Sequence, residues 1–137
     1  MARTPSNAAD TVKPTTLLPQ HQKLLDDSAI SQHIAKARGY RSVTVRSELR
    51  RLGFTDKQSR VPALLIPVWN AVGEIANYQI RPDEPRVNER GKPVKYETPA
   101  RSRMVLDVPP AARAWIGDPS RPLFVTEGIR KADAAGQ

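Results

Sequence analysis

The 137-residue sequence predicts an α+β fold: a helical N-terminal lobe, an antiparallel hairpin region, and the first strand-helix unit of an α/β domain. Three observations predict it. Ile30, Ile34 and Ala37 recur at helical spacing before Gly39. A β-prone run from Val61 to Trp69 is joined by the turn-like Asn70-Ala71-Val72-Gly73 to an alternating run from Glu74 to Ile80. Finally, Leu123-Phe124-Val125-Thr126 feeds a Glu127-Gly128 corner and a helix-like tail.

In chain order, residues 1–16 are polar, lack hydrophobic periodicity and read as a disordered leader. Residues 17–60 read as a basic helical lobe. Ser28 is the expected N-cap of a helix that Gly39 ends, and a second short helix over Val45 to Leu52 stops at Gly53. Residues 61–121 read as a β-rich region with a long charged loop. Pro62 and Pro67 remove ladder donors, so the strand from Val61 is expected to be short or at a sheet edge. Arg81 to Pro93, rich in proline and charge, reads as the exposed loop. Val94 to Thr98 and Arg103 to Val108 can add strands, and Pro110 to Ile116 a short helix with proline in its first turn. Residues 122–137 supply a strand, Pro122 to Thr126, and the final helix.

Composition narrows the chemistry. With no cysteine and two histidines, disulfides, Cys-based zinc and iron–sulfur sites are excluded, leaving hard, oxygen-ligated cations as the plausible metals. The longest apolar run, Val61 to Val68, is broken by two prolines and falls far short of the roughly 20 residues that span a bilayer. The first residues lack the apolar core of a secretory signal, which makes the cytoplasm the expected location. A formal charge of +8 favours polyanionic partners, nucleic acid above all, although it also suits a soluble basic protein with no such partner.

Several residues are placed to meet phosphate. Arg46 and Arg50 share one face of the second helix, which either tracks phosphates or is a solvated surface. Arg81, Arg86 and Lys95 flank the charged loop and can bind phosphate oxygens, while Tyr96 can stack on a base or sugar; Pro-fixed turns with Arg–Asp pairs also serve merely to order a loop. His21 and His33 have no ligand partner in sequence and read as surface or helix-face residues, and no Ser/His/Asp triad emerges. There is no Walker A pattern and no G-x-G-x-x-G. Glu127 at a strand end, followed by Gly128 and a helix, can act as a general base or share a magnesium ion, or simply cap the first helical turn.

Together, Tyr78-Gln79-Ile80-Arg81-Pro82-Asp83, Lys95-Tyr96-Glu97 and Thr126-Glu127-Gly128-Ile129-Arg130-Lys131-Ala132-Asp133-Ala134 resemble a Toprim-like family of unknown function. That family occurs in the N-terminal parts of phage, plasmid and mobile-element primase-like replication proteins. The resemblance implies a role in DNA replication, with DNA as partner and a replication helicase or downstream catalytic half as further partners. It implies acid/base chemistry at Glu127 and magnesium held with a downstream Asp-x-Asp, which does not follow Glu127 in this sequence. Lys131 stands where many such domains carry Asp, and joins Arg46, Arg50, Arg81, Arg86, Lys95 and Tyr96 as an expected nucleic-acid contact. The expectation is therefore a C-terminally truncated, nucleic-acid-binding piece of a primase-related protein, catalytically incomplete alone and holding no metal itself. The alternative is a non-catalytic interaction module of a replication complex.

Overall fold

The structure, a computed structural model, describes residues 16–136. The expected leader lies outside the described residues except for Thr16. Four short helices and a three-stranded antiparallel sheet make a mixed helix-and-sheet fold: α1 (Pro19–Asp27), α2 (Gln32–Arg38), β1 (Arg41–Val43), α3 (Arg46–Arg51), β2 (Ala63–Trp69), β3 (Ile75–Pro82) and α4 (Ile129–Ala135), with a 3-10 turn at Pro110–Trp115 between β3 and α4.

The first three helices end by one device. After α1, Ala29 takes a positive φ of 56°, its N–H bonds to Asp26 O, and Ile30 N reaches back to Leu25 O. Tyr40 N likewise bonds to Ala35 O beyond α2, and Phe54 N to Leu49 O beyond α3. Each stop drops an apolar residue, Ile30, Tyr40 or Phe54, onto the buried residue five positions earlier. Gly39, at φ 88°, suits this turn twice over, because a Cβ there would also press on Pro67 Cγ at 3.3 Å. Ser28 thus closes α1 rather than opening a helix; its hydroxyl donates to Leu24 O at 2.7 Å. The N-cap lies three residues on, at Ser31, whose Oγ accepts from Ile34 N. The expected break was misplaced because Ala29, not glycine, supplies the left-handed residue.

The sheet order is β1-β2-β3, so β2 is central and not the edge strand that its prolines suggested. The backbone explains how Pro67 is tolerated. β1 pairs only with Ala63 to Leu65. Beyond it, Pro67 O accepts from Arg38 Nη1, and Trp69 pairs with Asp107 Oδ1 and Val108 N. The missing Pro67 donor therefore faces the side that β1 has already left, where no ladder bond is lost.

β2 is buried on both faces. Leu64 and Ile66 pack with Leu25, Ile30, Ile34 and Tyr40 on the side of α1 and α2. Ala63 and Leu65 pack with Val43, Leu49, Phe54 and Ile80 on the side of α3. The helices of residues 17–60 thus pack against the hairpin through two small cores that share β2.

The hairpin turn is built on Asn70, whose Oδ1 accepts from Val72 N and Glu74 N. The charged loop folds back on itself through Asn88 N to Lys92 O and Val94 N to Arg86 O. Three expected strands do not form among the described residues. Val94 to Thr98 contributes a single bridge, Glu97 to Ile80; Arg103 to Val108 is irregular; and Pro122 to Thr126 is irregular and open to solvent, with Leu123, Phe124 and Val125 each at least 80% exposed. β-propensity without a neighbouring strand leaves every ladder bond unmade.

Candidate nucleic-acid interface

Charged residues divide into those the fold buries and those it offers outward. The largest buried group centres on Arg38, at 0% exposure. Its guanidinium donates to both carboxylate oxygens of Asp133, to Asp107 and to Pro67 O. Tyr40 adds a 2.6 Å hydrogen bond to Asp133 Oδ2, and Trp69 Nε1 donates to Arg38 O. Burial alone would lower the Arg38 pKa, but the bonds to Asp107 and Asp133 override it and hold the group charged. Burial also pushes Tyr40 far above its ordinary value, reinforced by the Asp133 charge. This network fastens α4 to α2, β2 and the Asp107 segment. No spacing in the sequence announced it.

A second buried link joins α1 to both ends of the sheet. His21, 3% exposed, meets Ser42 Oγ through Nδ1 at 2.6 Å and Asp83 Oδ1 through Nε2 at 2.7 Å. Leu18 N donates to the same Ser42 oxygen, which leaves the serine hydroxyl hydrogen for Nδ1 and assigns Nε2–H to Asp83. Of the two expectations for His21, surface or helix-face, the second describes it: it lies on the buried face of α1. The set is not hydrolytic: the histidine is sealed from solvent, and the serine oxygen is already occupied by a backbone donor.

Outward-facing cations gather in two places. On the α3 side, an open cleft of about 390 Å³ is lined by Arg46, Asp56, Lys57, Ser59, Arg60, Val61, Pro62 and Glu84. Arg46 donates to Asp56 O at 3.1 Å and Arg60 to Glu84 O at 2.8 Å. Backbone carbonyls aim these guanidiniums without neutralising them. Lys57 forms no ion pair among the described residues. Arg50, on the same helix face as Arg46, is instead paired with Asp56 at 2.7 Å.

On the opposite side of the sheet, Arg81 and Arg130 lie over the ring of Tyr96, at 5.8 and 5.7 Å from its centre. Tyr96 is half-buried and packs against the α1–α2 core, so the ring offered to a base is already engaged by two arginines. Arg86 does not join them; it is paired with the buried Glu97 at 2.8 Å. Lys95 is exposed and without an ion pair among the described residues. The sequence reading left Lys57, Arg60 and Arg130 out of the expected contacts, although the first two stand in an evident run of positive charge.

The Glu127 corner is open ground. Glu127 is 83% exposed and, among the described residues, pairs with Lys131 alone, one helical turn on. The hydrogen bond from Lys131, reinforced by its charge, holds the Glu127 carboxyl below the usual range. Gly128 has an extended φ of −148°, and a Cβ there would touch nothing within 4 Å, so no close approach demands the glycine. Among the described residues no group of three or more carboxylates or histidines converges. A single exposed carboxylate already held by an ammonium group does not fit a magnesium site. No helix among the described residues is long and apolar enough to cross a membrane. Set against protein-family models, curated proteins and solved structures, the chain has no significant match.

Proposed function

We propose that this chain binds the sugar-phosphate backbone of DNA, with the α3-side cleft as the principal contact. The observation that carries this reading is the convergence of Arg46, Lys57 and Arg60 on one open cleft, with no carboxylate ion-paired to any of them among the described residues. Phosphate contacts of this kind position a duplex or single strand without reading its sequence. The link to replication, and to a primase-related Toprim-like protein of a mobile element, rests on the three sequence motifs alone. In that setting the chain is a binding module, with catalysis and magnesium supplied by carboxylates other than Glu127.

Fluorescence anisotropy with a labelled oligonucleotide over a salt series tests the reading. The apparent affinity is expected to fall linearly on a log–log plot. In the Arg46→Gln/Lys57→Gln/Arg60→Gln variant the slope should become shallower by about 2 to 3. Binding that ignores salt, or a variant with the parent slope, overturns it.

A second reading, a protein-interaction module, is favoured by Leu123, Phe124 and Val125, which expose three consecutive large apolar side chains. Replacing Phe124 with Ser should abolish capture of a replication helicase if that reading holds, and leave DNA affinity alone.

A further inference from the structure

We propose that Arg81 and Arg130, gathered over Tyr96, form a second and separate phosphate-binding site that ties α4 to the sheet. The two arginines come from distant segments, the end of β3 and the first turn of α4, and both are half-buried. Neither is paired with a carboxylate among the described residues. The acidic groups that sequence brings near are taken: Asp83 by His21 Nε2 at 2.7 Å and Gln20 Nε2 at 2.9 Å, and Glu97 by Arg86. Glu97 also pairs with Ile80, neighbour of Arg81 on β3, and so belongs to the opposite sheet face. Among the described residues Arg81 has no hydrogen-bond partner on any guanidinium nitrogen, and Arg130 uses Nη1 alone, on Ser28 Oγ at 2.7 Å. The Nε atoms of both are buried and unpaired.

Two like-charged guanidiniums at 5.8 and 5.7 Å from one ring centre leave donors unused, and Tyr96 meets them only through its π system. An oxyanion at the free Nη atoms, which unlike the Nε atoms are not sealed from solvent, is the ligand that offsets this. Arginine forks match phosphate oxygens in pairs, which makes a phosphate group the chemical class recognised. Bound there, it would bridge β3 to α4, reinforcing from one side the fastening that Asp133 provides from the other. This inference shares the ligand class of the proposed function but none of the cleft residues, so either can fail alone.

The test follows the Arg81 and Arg130 side-chain Nε–H resonances of the full chain by heteronuclear NMR, with Arg38 as the buried control. Inorganic phosphate should move both signals together while Arg38 stays fixed. Tetrathymidylate with and without a 5′-phosphate distinguishes sources: a stronger response to the phosphorylated form assigns a terminal phosphate, and equal responses assign the backbone. Arg130→Lys, which keeps the charge and removes the fork, should weaken phosphate binding about tenfold as read at Arg81. Arg46→Gln/Lys57→Gln should leave it unchanged. Phosphate that moves neither signal, or an Arg81 response undiminished in Arg130→Lys, overturns the proposal.

Discussion

Glu127 and Asp133 stand at either end of the same short stretch, one just before α4 and one within it, and the fold treats them oppositely. Glu127 occupies the position that a motif reading favours, yet its carboxylate lies in solvent, paired among the described residues with Lys131 alone. Asp133, at 2% exposure, receives Arg38 through two nitrogens and Tyr40 through its hydroxyl. The difference is one of surroundings rather than residue type. A carboxylate acquires consequence when the groups around it cannot relax into water, and here those groups surround Asp133.

The largest effect should come from breaking the buried side of this comparison. Asp133→Ala leaves Arg38 with Asp107 as its one carboxylate partner among the described residues and removes the acceptor of the Tyr40 hydroxyl, and should cost about 3–5 kcal/mol in urea unfolding. Loss of a small fraction of that would mean α4 is held by its apolar contacts, Ile129 and Ala134, rather than by charge.

Next comes Tyr40→Phe, which removes one hydrogen bond to a charged acceptor and should cost about 1.5–3 kcal/mol. It also carries a pH signature. Because the folded pKa of Tyr40 is raised, its contribution is fully present below the unfolded value of 10.0 and is lost as pH rises above it. The parent should therefore lose stability more steeply with alkali than Tyr40→Phe does. Parallel slopes in the two proteins would show that Tyr40 ionises freely.

The smallest structural effect belongs to Glu127→Gln, whose unfolding midpoint should match the parent, since an exposed i, i+4 ion pair contributes little.

The same contrast explains what the sequence made legible. Local signals carried through: the β2–β3 hairpin around Asn70, the stops at Gly39 and Gly53, and the proline-led turn at Pro110 all depend on neighbours a few residues apart. Readings that needed a distant partner failed. β1 is three residues long and exists because β2 pairs with it, whereas Pro122 to Thr126 has the right composition but no paired strand among the described residues. Pro62 and Pro67 predict a short or edge strand, but Arg38 and Asp107 occupy the side from which the Pro67 donor is missing. Of the expected site residues, Arg46 lines the basic cleft and Arg81 and Tyr96 meet, but Arg50 and Arg86 are neutralised by Asp56 and Glu97. Sequence spacing reports a charge but not its counter-charge, and the counter-charge decides whether a cation is free to meet phosphate.

The most direct measurement is the DNA affinity of Glu127→Gln at low salt. If outward cations do the work and the corner carboxylate does not, removing its charge frees Lys131, and binding should be equal to the parent or somewhat tighter. A marked loss of affinity would contradict this and make Glu127 the working residue of the site.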